Sequence, residues 1–197
     1  IPGSRDPRDC KNFFYAWCVP YIFIMKPELE NSKRTAWIAK SVIRINEKSI
    51  NPQIKNYQWG DFTKGLFEAK QNGYETVILL DQKGNVTEGP GFNLFACKKN
   101  IIITPDSGIL EGISRQTILE IASEVGIEIQ IKKLTLNELT SSDEVFISSS
   151  GGGVLPLTKI DDKIYNNGKP GPKTKFFHKK YWEWIKRPEL RTKINYL

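Results

Sequence analysis

The feature that most constrains this chain is a succession of short apolar runs, each of strand length and closed off by a turn. Thr76–Leu80 is an unbroken β-branched and leucine run, too short for a helix and bounded by polar residues, so it reads as a buried strand. It turns at Gln82–Asn85, where Gly84 supplies a permissive backbone, and Asn93–Cys97 and Ile101–Thr104 follow as further strands. Ala36–Ile45, Ile127–Ile131 and Glu144–Ile147 are strand-like as well. Helical spacing is confined to a few places. Trp59–Asn72 carries Phe62, Leu66, Phe67 and Ala69 before a stop at Gly73. Ser114 can cap a helix through Val125, with Ile118, Ile121, Ala122 and Val125 on one stripe and Gly126 as its terminator. A short helix follows Thr135, and Thr174–Lys186 reads as an aromatic-rich terminal helix. The body is therefore expected to be a strand-rich α+β or mixed α/β domain.

The most apolar run, Phe13–Met25, is interrupted by Pro20 and is shorter than the roughly 20 residues a membrane-spanning helix needs. Asp6 and Asp9 in its leading segment also make it a poor signal peptide. It is expected to be a buried strand pair. The polar stretch Lys26–Thr35 reads as a linker, which divides the chain into a head (1–25), a linker (26–35) and a body (36–197). The chain begins with Ile1, and a core-grade segment with little sequence before it suggests a fragment.

Several chemistries are disfavoured by residue counts. His178 is the single histidine, expected as a surface or half-buried helix residue, so histidine metal clusters and a Ser-His-acid triad are not expected. Cys10, Cys18 and Cys97 are too few and scattered for a disulfide framework, which points to a reducing compartment such as the cytoplasm. The net charge of +7 arises from 29 basic and 22 acidic residues mixed along the chain, and reads as surface solvation with some attraction for anionic cofactors. Neither a G-x-G-x-x-G after a strand nor a G-x-x-x-x-G-K-[ST] occurs.

Glycine-containing turns cluster at Gly89–Gly91, Gly108–Gly112 and Gly151–Gly153. Glycine lets backbone N–H groups approach an anion, most effectively where a turn opens a helix. The Gly112-Ile113-Ser114 turn opens such a helix, and a phosphate could sit there with the Ser149 and Ser150 hydroxyls approaching from another loop. A capped helix after a glycine turn is also ordinary architecture, and Ser-Gly runs are commonly plain loops.

Five strings in order carry a more specific signal: IKNYQWGDFTKGLFEAKQNG (54–73), LLDQKGNVTEGPGFNLF (79–95), TPDSGILEGISRQTI (104–118), DEVFISSSGGGVLPLTKIDD (143–162) and GKPGPKTK (168–175). This combination resembles the class IV pyridoxal-phosphate-dependent aminotransferases, most closely the branch of (R)-selective amine transaminases and branched-chain aminotransferase-like enzymes. The resemblance implies the larger C-terminal domain of the D-amino-acid/branched-chain aminotransferase-like fold, with the head as the last strands of the smaller N-terminal domain.

It implies pyridoxal 5'-phosphate as cofactor and a role for each matching residue. Lys55 matches the lysine that holds the cofactor as a Schiff base and then moves the substrate proton. Glu88 matches the acid that pairs with the pyridine nitrogen, Leu110 the residue against the ring face, and Ile113 with Ser114 the phosphate turn. Ser149 and Ser150 fall where the family commonly has threonines, so hydroxyls survive and methyl packing does not. The chemistry asks for these types, since a neutral lysine amine can act as nucleophile and base. An acid at the ring nitrogen keeps the ring an electron acceptor. Read without the motifs, Lys55 is a solvated charge, Glu88 a turn acid, and Leu110 and Ile113 core.

The implied reaction moves an amino group between an amine or amino acid, of branched-chain or (R)-amine type, and a 2-oxo acid, with a homodimer as the assembly. An aminodeoxychorismate lyase and a D-amino-acid transaminase are alternatives on the same fold. A basic module stacking Trp59, Trp182 and Trp184 on single-stranded nucleic acid is the alternative outside enzymes. Neither nucleic acid, membrane nor metal is an expected partner. The family's phosphate-clamping arginine belongs to the N-terminal domain and is not matched; nor is the arginine with which some members receive a substrate carboxylate, a role not assigned to Arg5.

Overall fold

The computed structural model describes residues 5–21, 23 and 34–193. In chain order these form β1 (Thr35–Ile38), α1 (Gly60–Gln71), β2 (Thr76–Ile78), β3 (Asn85–Val86), β4 (Asn93–Lys98), β5 (Ile101–Thr104), α2 (Ile113–Glu124), β6 (Ile129–Ile131), β7 (Leu134–Thr135), α3 (Leu136–Thr140), β8 (Glu144–Ser149), β9 (Gly153–Leu157), β10 (Lys159–Ile160), β11 (Lys163–Ile164) and α4 (Pro172–Trp184). The result is a mixed α/β architecture.

Two larger sheets organise it. One has the order β6-β5-β4-β8-β9 and the other β11-β10-β1-β2, while β3 and β7 form a short antiparallel pair beside them. Side chains alternate across a strand, so a strand covered on both faces must be apolar at successive positions. This is why β4 and β8 read as continuous apolar runs. Leu94 and Ala96 of β4 with Val145 and Ile147 of β8 pack into one cluster, which also holds Ile38 and Ile78 of the second sheet. Phe95, Cys97 and Phe146 face the opposite way, toward Ile118 and Ile121 of α2 and Phe177 of α4. The far face of the second sheet is covered by α1, through Phe62 and Ala69 against Val77. The order of layers is therefore α1, sheet, sheet, α2 with α4.

The Phe146 ring is fully buried, stacked on Phe95 at a centroid distance of 4.7 Å and tilted against Phe177 at 5.5 Å. Phe146→Ala is expected to lower unfolding free energy by about 3–5 kcal/mol, to be read from urea denaturation.

Some expectations are corrected. The strand pair over Phe13–Met25 does not form in the described part of that segment, and Phe13 and Phe14 are 83% and 93% exposed. Among the described residues no strand meets its edge there, so its described backbone groups have no ladder to join. Ile22 and residues 24–25 lie outside the described residues, as does the linker apart from Arg34 and Thr35; Thr35 already belongs to β1. The strand expected over Ala36–Ile45 ends at Ile38, after which the chain leaves the ladder and the Arg44 N–H bonds the Leu80 carbonyl. Ser114 does not cap α2. Gly112 holds the cap position and Ser114 lies inside the first turn. The terminal helix starts at Pro172, whose fixed φ suits a first helical position. Among the described residues no helix is long and apolar enough to cross a membrane.

Candidate active site

A cleft of about 420 Å³ is lined by the loops that precede α1 and α2, by the loop between β3 and β4, and by the end of β8 with the loop that follows it. All three glycine clusters contribute to it: Gly89 and Gly91, Gly112, and Gly151. The sequence-predicted residues Lys55, Glu88, Leu110, Ile113, Ser114, Ser149 and Ser150 all line it. Tertiary folding thus brings together positions separated by up to 95 residues in the chain, from Lys55 to Ser150.

Glu88 sits at the buried base, 5% exposed. Its Oε1 accepts from Arg44 Nη2 at 3.0 Å, and its Oε2 accepts from the Leu110 N–H at 2.9 Å and from Asn93 Nδ2 at 3.2 Å. Burial pushes its pKa up to about 7, against the lowering effects of the Leu110 N–H and of Arg44. Asn93 also donates to the Leu110 carbonyl at 2.8 Å, so one amide ties the acid to the turn before α2. Leu110 accordingly contributes its backbone to Glu88 as well as its side chain to the cleft wall.

The cleft also carries donors. α2 starts at Ile113 with no side-chain cap, leaving its first N–H groups to whatever occupies the cleft. Ile113 is 80% exposed there. The buried Ser114 hydroxyl lies 3.1 Å from the Tyr181 hydroxyl and 3.5 Å from that of Ser150. Ser149 is already engaged, donating to the Gly91 carbonyl at 2.8 Å and accepting from the Gly151 N–H at 3.3 Å, so it joins two glycine turns instead of presenting a free hydroxyl. Ser148 has a buried hydroxyl with no partner among the described residues and also lines the cleft.

The glycines are required by space. A Cβ on Gly89 would fall 2.1 Å from Phe92 Cζ and 2.5 Å from the Val77 carbonyl oxygen, and backbone cannot swing aside. One on Gly112 would meet Asn93 Oδ1 at 2.4 Å. Gly89→Ala is expected to destabilise the fold by about 1–3 kcal/mol, visible as a lowered midpoint in denaturant; an unchanged midpoint would mean that the loop relaxes freely.

Lys55 lies on the loop before α1 and is exposed, so the exclusion of water expected around its amine is not supplied by the described residues. His178 is half-buried on α4, with Nδ1 2.8 Å from the Val154 carbonyl, and is not among the residues lining the cleft.

Residues 18–160 match the family model for amino-transferase class IV. The chain belongs to that family. Among curated relatives, a Methanocaldococcus jannaschii protein provisionally named a branched-chain-amino-acid aminotransferase is 32% identical over 191 residues, which cover 95% of this chain and 62% of that protein. The Escherichia coli K12 branched-chain-amino-acid aminotransferase is 38% identical over 110 residues, 55% of this chain and 36% of the enzyme. Among solved structures, the branched-chain amino acid aminotransferase of Thermobaculum terrenum in its PLP form superposes with a TM-score of 0.76 at 33% identity, covering 82% of this chain and 53% of that one. That of Thermoproteus uzoniensis with norvaline gives 0.76 at 28% identity, covering 87% and 57%. The chain therefore spans less than two thirds of these relatives.

For this class IV chain, sequence reasoning overlooked Arg44, Asp61, Asn93 and Ser148. Asp61 and Asn93 stand in the quoted QWGD and EGPGFN strings, where they could have been picked out as polar residues fixed inside a motif. Arg44 had its own signal: a charged residue inside an apolar run is seldom buried unless paired.

Proposed function

We propose that this chain is the cofactor-holding part of a pyridoxal-phosphate-dependent transaminase acting between a branched-chain amino acid and a 2-oxo acid. The observation that carries the reading is Glu88, a buried acid lining a cleft that also offers hydroxyls and helix N–H groups. A phosphorylated pyridine asks for that pairing of features, an acid for its ring nitrogen and donors for its phosphate. The unpartnered Ser148 hydroxyl and the cradle of Gly89 and Gly112 also fit a flat, anionic group. The names of the relatives favour branched-chain substrates over (R)-amines, D-amino acids or aminodeoxychorismate.

In this reading the Ile113 and Ser114 N–H groups and the Ser114 and Ser150 hydroxyls receive the phosphate, and Leu110 packs against the ring. Glu88 holds a proton on the ring nitrogen. Lys55 would anchor the cofactor and, once freed by substrate, would take the proton from the substrate carbon and deliver it to the carbon that was the cofactor's aldehyde carbon. Bound pyridoxal phosphate supplies the electron sink that makes this proton removable. We also propose the division into head, linker and body, a homodimeric assembly of the whole protein, and a cytoplasmic location consistent with three free cysteines.

The test is to add pyridoxal phosphate to the full-length protein, reduce with borohydride and map the adduct by mass spectrometry. A phosphopyridoxyl group on Lys55 is expected; label scattered over surface lysines would sink the reading. Leucine, isoleucine and valine against (R)-1-phenylethylamine, each with 2-oxoglutarate, then separates the substrate classes.

A further inference from the structure

Arg44 is 8% exposed and follows a stretch of apolar residues. Its two terminal nitrogens are divided between two carboxylates: Nη1 donates to Asp61 Oδ2 at 2.6 Å, and Nη2 to Glu88 Oε1 at 3.0 Å. The guanidinium carbon lies 4.3 Å from the centroid of the Phe62 ring. Asp61 is itself fixed, since Oδ2 also accepts from the Ile45 N–H at 2.9 Å and Oδ1 from the Phe62 N–H at 2.8 Å. It stands in the first turn of α1, where the helix dipole favours a negative charge.

The charges do not cancel. Two buried carboxylates share one guanidinium, which leaves one excess negative charge at the base of the cleft if both acids are ionised. Such a charge out of water calls for a cation. Lys55 and Glu111 are the other charged groups lining the cleft, and no ion pair joins either to Glu88 among the described residues. Glu88 has three donors on its two oxygens, and a carboxylate has about four acceptor sites, so room remains for one more donor.

We propose that Arg44, clamped by Asp61, is a positioning residue that holds the Glu88 carboxylate charged and aimed at the protonated ring nitrogen of the cofactor. This role presupposes the pairing of Glu88 with the pyridine nitrogen set out above. It assigns a task to the aspartate of QWGD. The fork matters, because a lysine at position 44 would carry the charge but could not bridge two carboxylates in fixed geometry.

The probe is pyridoxamine 5'-phosphate, which has no carbonyl to react with Lys55, compared with its analogue carrying CH in place of the ring nitrogen. Binding of both to the full-length protein is measured by calorimetry. The wild type is expected to prefer the nitrogen-bearing ligand by about 10-fold or more, as befits a charge-assisted hydrogen bond. Arg44→Met removes most of that preference, Arg44→Lys and Asp61→Asn part of it, and Ser114→Ala weakens both ligands alike. A preference unchanged from wild type in folded Arg44 and Asp61 variants overturns the proposal. If Arg44→Met does not fold, Asp61→Asn decides by the same ratio. Equal wild-type binding of both ligands removes the Glu88 pairing and the Arg44 role with it, whereas binding of neither overturns the cofactor reading itself.

Discussion

Lys55→Ala is expected to abolish covalent retention of pyridoxal phosphate and to slow transamination by about 10³-fold, within the range that a positioned acid-base group provides. The reason is that, in the proposed reading, one amine would serve two steps, anchoring the cofactor and, when substrate takes its place, acting as base at the substrate carbon. Lys55 is the only lysine lining the cleft, so no neighbour in the described residues can substitute. Single-turnover absorbance changes with leucine, measured at saturating cofactor, read the proton-transfer step separately from binding. A rate within a few-fold of wild type would remove Lys55 from the chemistry. Its exposed position should leave stability nearly unchanged, which separates a chemical loss from a folding defect.

The second large effect concerns Glu88. Glu88→Gln preserves shape but cannot carry the charge that keeps a proton on a ring nitrogen. Turnover is expected to fall by about 10²-fold, comparable to losing one preorganised electrostatic group. The same variant has a signature in stability. Burial raises the Glu88 pKa from the ordinary 4.5 to about 7. Below the lower value both folded and unfolded chains hold the proton; between the two, only the folded chain does. This group's contribution to stability is therefore present at acid pH, declines as pH rises through that window, and levels off above about 7. The decline is on the order of a few kcal/mol at most, because each pH step of one between those two values is worth ~1.4 kcal/mol. Urea unfolding of the cofactor-free protein at pH 5 and pH 8 should show it in the wild type and not in Glu88→Gln. An identical pH dependence in both would mean that Glu88 is not the titrating group.

The fold was legible wherever local pattern and burial agree. The runs at Asn93–Cys97 and Glu144–Ile147 announced strands, and the structure adds that β4 is covered on both faces, since Leu94 and Phe95 pack into different clusters. The described part of Phe13–Met25 was misread because hydrophobicity alone does not say whether a partner strand is there to complete the ladder. Ser114 was misplaced for a related reason. Serine is a good cap, but Gly112 takes the cap and the Ser114 hydroxyl is drawn to Tyr181 on α4, a residue 67 positions away.

The candidate site divides along the same line. The family resemblance carried by the five strings nominated Lys55, Glu88 and the turn at Ile113 and Ser114, and residue chemistry agrees with those nominations without singling them out by itself. Ser149 looked like a donor in sequence, yet its hydroxyl is spent on the Gly91 carbonyl. The amino-acid sequence by itself determined the strand-rich α/β class and, through its motifs, the family, and it nominated residues for the chemistry. Only the tertiary structure decided which of them share one cleft and that Arg44 and Asp61 stand behind Glu88, because burial and charge pairing are set by neighbours far away in the chain.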